Sequence, residues 1–181
     1  VYNYGAFDFT TPNFMMKFVK GDLQYFVTSE NFYDFEYNYK LDGRSIVSQE
    51  LNLTTAQKQQ LLNELNSSLT SEERFYTYKF IDKNCTTMVV DKINKILGEE
   101  ILKQPKSEQS YREILYPYMS DFYMKLGIQI IFGTKVDQPA TRLFLPLELE
   151  KVLNTATQNG KKIAKPSEIL NKETITKPFS Y

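Results

Sequence analysis

The chain has 181 residues, with 22 Lys and Arg against 22 Asp and Glu, 13 Tyr, 13 Phe, a single Cys and no His. That length suits one domain of about 100–200 residues with a real core, and the even charge balance argues against a nucleic-acid binder, whose affinity comes largely from neutralised phosphates. One Cys excludes an intrachain disulfide framework, and the lack of His excludes, within these residues, a His-bearing triad or a His-containing zinc site.

Nothing in the residue set points to a metal or a cofactor. No window reaches the about 18 apolar residues of a membrane span. The sequence opens on Val-Tyr-Asn-Tyr-Gly without a Met or a signal peptide. It therefore reads as one α+β domain cut from a longer exported bacterial protein.

Residues 1–9, VYNYGAFDF, alternate as a strand, with Gly5 a bulge or a point of close approach. Thr11-Pro12 predicts a helix start, Thr at the N-cap and Pro at N1, for a short helix from Asn13 to Val19 ending near Gly21. Residues 23–28 form a second strand, 29–43 a helical turn plus loop, and 44–52 a third strand. The surest helix is 55–68. Thr54 and Gln57 have capping-box spacing, and Leu61, Leu62 and Leu65 follow at helical intervals. Residues 74–80, RFYTYKF, alternate as a fourth strand.

A polar turn, Asp82-Lys83-Asn84, then leads into a helix from Cys85 to Leu97, with Val89, Ile93, Ile96 and Leu97 on its apolar face and Gly98 as C-cap. Ser110 to Met119 holds one helix interrupted at Pro117. Ile128 to Phe132 is strand-like or a buried turn, and 146–157 is a helix with Pro near its start. From Gly160 onward the polar, Lys-rich sequence reads as a surface tail or linker. The predicted strands 1–9, 23–28, 44–52 and 74–80 are expected to pack on the helix that begins at Cys85.

Cys85 is the residue expected to carry chemistry. A strand and a polar turn deliver it to the first turn of a helix, where unpaired N–H groups and the helix dipole favour a thiolate. Lys83 can add positive potential, and the N–H groups of Cys85, Thr86 and Thr87 can cradle an oxyanion. A lone Cys is also commonly a small buried hydrophobe, and Cys nucleophiles usually work with a base. Both readings stand on the residues alone.

The segments VYNYGAFDFTTPNFMMKFVKGDLQY, LNLTTAQKQQLLNEL, RFYTYKFIDKNCTT and FLPLELEKVLNTA, in that order, resemble the periplasmic N-terminal domain of Lnb-type lipoprotein N-acyltransferases. The resemblance covers roughly residues 1–160, with 161–181 a tail or linker toward a membrane region outside this chain. It implies a permuted papain-like, NlpC/P60-like architecture: an antiparallel sheet packed on a Cys-bearing helix, with further C-terminal helices. It also implies Asn84-Cys85 as the catalytic dipeptide, Cys85 as nucleophile and Asn3 as an orienting polar group. The catalytic His of the family lies in a strand upstream of the YNYG-type segment.

Two departures sit beside the nucleophile: Lys83 stands where the family has Asp, and Met88 where it has Arg. The implied reaction moves an acyl chain from a phospholipid onto Cys85 and then to a lipoprotein's N-terminal amine. It takes place in the periplasm or at the outer face of the inner membrane, with membrane contact made by segments outside this chain. The competing functions are a cysteine peptidase or amidase of the same fold, and a binding domain in which Cys85 is only packed.

Overall fold

The computed structural model describes residues 1–105, 109–119 and 122–172, with the backbone alone for 124 and 128–130. It is an α+β structure. Strands β1 (Tyr2–Phe7), β2 (Gln24–Ser29) and β4 (Phe75–Thr77) form a three-stranded antiparallel sheet in the order β1-β2-β4. β1 is bulged between Asn3 and Ala6.

Helix α1 (Phe14–Lys20) joins β1 to β2. Its start differs from the expected one. Thr11 and Pro12 belong to a β-turn closed by Phe14 N–H donating to the Thr11 carbonyl, 3.1 Å. Asn13, at φ 57°, occupies the N-cap instead. Pro at the second position and a left-handed third residue are the requirements of a type II turn. Gly21, at φ 66°, ends the helix as expected.

Residues 29–43 are more helical than expected. Asn31 accepts the Tyr33 N–H and opens α2 (Phe32–Leu41), a full helix rather than a turn. The third predicted strand shrinks to β3 (Ile46–Ser48) and does not join the sheet. It pairs instead with β7 (Glu168–Asn171). Helix α3 (Thr55–Thr70) carries the capping box expected of Thr54 and Gln57, a device worth about 1 kcal/mol.

Helix α4 (Cys85–Leu97) is the central element. It buries Val90, Ile93, Ile96 and Leu97, and Gly98 caps it at φ 73°. Val90, Ile93 and Leu97 share one apolar cluster with Leu102, Leu143, Leu153, Ile163 and Ala164. A second cluster gathers Ile81, Tyr111, Ile114, Leu115, Val136 and Phe144. Each fully buried aliphatic or aromatic side chain contributes about 1.5–3 kcal/mol.

The helix predicted before Pro117 is α5 (Tyr111–Leu115), followed by a 3-10 turn over Tyr116–Tyr118. Ile128 to Phe132 is neither a strand nor a buried turn; it is the end of helix α6 (Phe122–Phe132). Five residues, Ile-Gln-Ile-Ile-Phe, are too few to show a period, so sequence alone cannot separate the two. Helix α7 (Pro146–Thr155) starts on its Pro as predicted.

The stretch from Gly160 is paired rather than tail-like. Asn159 at φ 50° and Gly160 at φ 75° form the left-handed pair of a type I′ turn between β5 (Thr157–Gln158) and β6 (Lys161–Lys162). Ile163 and Ala164 are then 4% and 1% exposed, and β7 returns to β3. Residues 173–181 of the expected tail lie outside the described residues.

Ile163→Ala is expected to lower the unfolding free energy by about 2–5 kcal/mol in urea denaturation. Ile169→Ala, at a position 64% exposed, is expected to change it by less than about 0.5 kcal/mol. Equal, negligible effects would show that the segment after Gly160 is only draped on the surface.

Candidate functional site

The corner between β4 and α4 is built from backbone first. Lys79 and Lys83 exchange N–H···O=C bonds of 2.9 Å each, closing a tight loop over Phe80 to Asp82. Ile81 anchors that loop in the second apolar cluster. The chain then enters α4 at Asn84, which is 3% exposed.

Three of the four hydrogen-bonding positions of the Asn84 side chain are filled. Its Oδ1 accepts the Thr87 N–H at 2.9 Å, and its Nδ2 donates to the Phe80 carbonyl at 2.6 Å and the Phe144 carbonyl at 2.8 Å. Its own N–H donates to Thr87 Oγ1 at 2.8 Å, completing a capping box. Asn84 thus holds the helix start, the preceding turn and a distant loop in one arrangement.

Cys85 follows as the first residue of α4, half-buried and reduced. The N–H groups of Cys85 and Thr86 lie in the first helical turn, where the α-helical ladder supplies no acceptor. The Thr87 N–H was expected to join them as an oxyanion donor. It does not, because the Asn84 side chain already takes it.

β1 runs beside the thiol. A Cβ placed on Gly5 would stand 3.8 Å from the Cys85 Cβ and 3.4 Å from Asn3 Oδ1. Gly5 is therefore the point of close approach that the sequence suggested. Asn3 reaches the same neighbourhood through the bulge, where its Oδ1 accepts the Gly5 N–H at 2.8 Å. Lys83 is exposed, with its Nζ 5.8 Å from the centroid of the Tyr76 ring. Met88 packs inward against a cluster that contains Leu23, Tyr25 and Tyr76.

Sequence reasoning missed a tyrosine shell. Tyr25, Tyr76 and Tyr78 stand around Cys85, with the Tyr25 and Tyr78 rings stacked at 4.2 Å. All three hydroxyls are pushed above the usual phenol value, first by burial and further by the charge of the Cys85 thiolate. In Tyr78 the neighbouring Tyr25 outweighs Cys85 as the second cause. These groups stay protonated in the working range and can donate hydrogen bonds, but they cannot serve as bases near neutral pH. The alternation in Tyr76-Thr77-Tyr78 was the visible signal, since it puts two tyrosines on one face of a strand.

On its other side Cys85 opens on a groove of about 600 Å³. α4 lines it with Cys85, Thr86, Val89 and Ile93. β3 and the residues after it supply Val47, Gln49 and Leu51, and α7 supplies Leu147, Leu149, Glu150 and Leu153. The volume falls within the about 300–1,000 Å³ of small-molecule sites. Gln49 ties the two outer walls together through its Nε2, which donates to Asn154 Oδ1 at 3.1 Å. The groove was not foreseen, because its walls come from segments about 100 residues apart. Among the described residues no group of three His, Cys, Asp or Glu could hold a metal, and no helix is long and apolar enough to cross a membrane.

Asn84→Ala is expected to cost about 1–3 kcal/mol in denaturant unfolding, because one buried and one partly buried carbonyl lose their donor. Asn84→Asp keeps the cap oxygen but not the donors, so it is expected to recover little of that loss. Alkaline titration supplies a second check. Tyrosines whose folded pKa lies above the unfolded value give stability that is complete below about pH 10. That stability falls as pH rises through the folded values. Tyrosinate absorbance is expected to show a fraction of the 13 Tyr ionising only as the fold is lost; a single transition of all of them near pH 10 in the folded protein would contradict the buried shell.

A sequence model described as the Lnb N-terminal periplasmic domain matches residues 1–116. No curated protein and no solved structure matches the chain.

Proposed function

The chain belongs to the Lnb N-terminal periplasmic domain family, and from that premise we propose that it is a periplasmic thiol acyltransferase domain with Cys85 as its nucleophile. The observation that carries the reading is the position of Cys85: it starts α4 and forms part of the wall of an apolar groove that follows that helix to Ile93. Eight residues of helix rise about 12 Å. An acyl chain lying along that wall would bring its carbonyl carbon to the sulfur.

In the first step the Cys85 thiolate attacks the carbonyl carbon of a phospholipid acyl ester. The oxyanion takes the N–H groups of Cys85 and Thr86, aided by the positive end of α4. The C–O bond breaks, the lysolipid alcohol leaves with the proton that the base had taken from the Cys85 thiol, and an acyl thioester remains on Cys85. In the second step the N-terminal amine of a lipoprotein attacks that thioester. The C–S bond breaks, an amide forms, the thiolate is restored and the amine proton passes to a base.

The 181 residues contain no His, and the nearby tyrosines are unsuited as bases. The base in this reading is an imidazole outside them. β1 is an edge strand among the described residues, and Gly5 lets it pass close beside Cys85, so a strand paired to its open side would bring such a group to the same neighbourhood. Asn3, at the bulge, is the polar side chain available to orient it. Asn84 acts by holding Cys85 in place. Lys83, exposed beside Tyr76, contributes only long-range positive potential. The apolar groove walls favour a lipid chain over the polar peptide of a cell-wall amidase, and the opening beside Cys85 favours a reactive over a merely packed thiol.

Incubation of the complete gene product with phospholipid vesicles is expected to yield a hydroxylamine-labile acyl adduct on Cys85 by intact mass, absent from Cys85→Ala. Val89→Trp, which fills the groove, is expected to reduce loading of a long-chain donor by more than about tenfold while a short-chain thioester still loads. Peptide-bond cleavage without any acyl adduct would overturn the acyltransferase reading in favour of an amidase.

A further inference from the structure

Glu150 is the one charged residue that lines the groove beside Cys85. It lies on α7 with Pro146 and Leu153 at helical spacing, so the three share a face. Glu150 is half-buried as a residue, and its carboxylate has no ion-pair partner among the described residues. The next residue, Lys151, is turned to Glu148 at 2.7 Å. Gln49 bonds only the backbone carbonyl of Glu150, at 3.4 Å. A carboxylate in a groove otherwise lined by uncharged side chains attracts an incoming cation.

We propose that Glu150 is a positioning residue that selects an acyl acceptor bearing a primary ammonium on an apolar chain. This rests on the acyl-groove reading of the same site and adds to it the charge of the occupant's polar end. The carboxylate attracts an ammonium and repels a carboxylate or a phosphate. A donor phospholipid therefore keeps its phosphate away from this wall, whereas an acceptor amine is drawn to it. Glu150 forms no bond in either step; it raises the local concentration of the amine in the groove that Cys85 also lines.

The test uses the complete protein with Cys85→Ala, so that no chemistry intervenes. Calorimetry compares decylammonium, decanol and decanoate below their micellar concentrations. Decylammonium is expected to bind about fivefold more tightly than decanol, the factor expected of one partly exposed ion pair, with decanoate weakest. Glu150→Gln is expected to level the three, and Glu150→Lys to place decanoate first. Binding of all three with no preference, or a preference that survives Glu150→Gln, overturns this inference and leaves the groove reading standing. No binding of any of them overturns both.

With Cys85 intact, Glu150→Gln is expected to raise KM for the acceptor amine about fivefold. A primary ammonium is also found on an ethanolamine headgroup. If Glu150→Gln instead slows acyl loading from an ethanolamine phospholipid but not from a glycerol phospholipid, the ammonium recognised belongs to the donor and the acceptor assignment falls.

Discussion

The buried amide of Asn84 joins parts of the chain that lie far apart in sequence. Its oxygen starts α4, and its nitrogen holds the carbonyls of Phe80 and of Phe144, 60 positions away. A buried carbonyl without a donor costs more than an ordinary hydrogen bond contributes. The loop before α4, the first turn of α4 and the loop before α7 are therefore placed together or not at all. Cys85, the next residue, inherits its position from this clamp. The same clamp withdraws the Thr87 N–H from any oxyanion site, so local rigidity and the number of free donors trade against each other.

The groove depends on that placement and on a second constraint. α7 forms one wall because Leu153 enters the same apolar cluster as Ile93 of α4. β3 forms the other because β7 pairs with it and Gln49 reaches Asn154. Ile163 and Ala164 anchor the connection between the β5-β6 hairpin and β7 in that cluster. The last described residues thus hold β3, which does line the groove beside Cys85, although their composition is that of a polar tail.

The environment of the thiol is aromatic on one side and aliphatic on the other. Tyr25, Tyr76 and Tyr78 stay neutral because burial and a nearby thiolate both oppose phenolate formation. Met88, at the position where the family is expected to carry Arg, packs into this aromatic cluster rather than presenting a charge to the site. Lys83 lies over the Tyr76 ring at the surface.

The elements that the sequence determined are those specified by short-range chemistry. Thr54 and Gln57 announce α3, Asn84 and Gly98 bracket α4, Pro146 starts α7, and Gly21 stops α1. In each case the signal and its effect lie within one helical turn, so the residues suffice. The same locality made Cys85 at a helix start legible. Other features were decided only by tertiary structure. Residues 44–52 read as a strand, but alternation does not name a partner, and β3 pairs with β7 across more than 100 residues. The apolar run to Phe132 became helix because no period opposed it. Thr87 lost its free N–H to a side chain that sequence reasoning had set aside for chemistry. The groove and the unpaired Glu150 arise where α4, β3 and α7 converge, and the tyrosine shell where β2 and β4 meet the start of α4. That convergence comes from burying apolar surface between distant segments, a non-directional force that leaves no spacing rule in the chain.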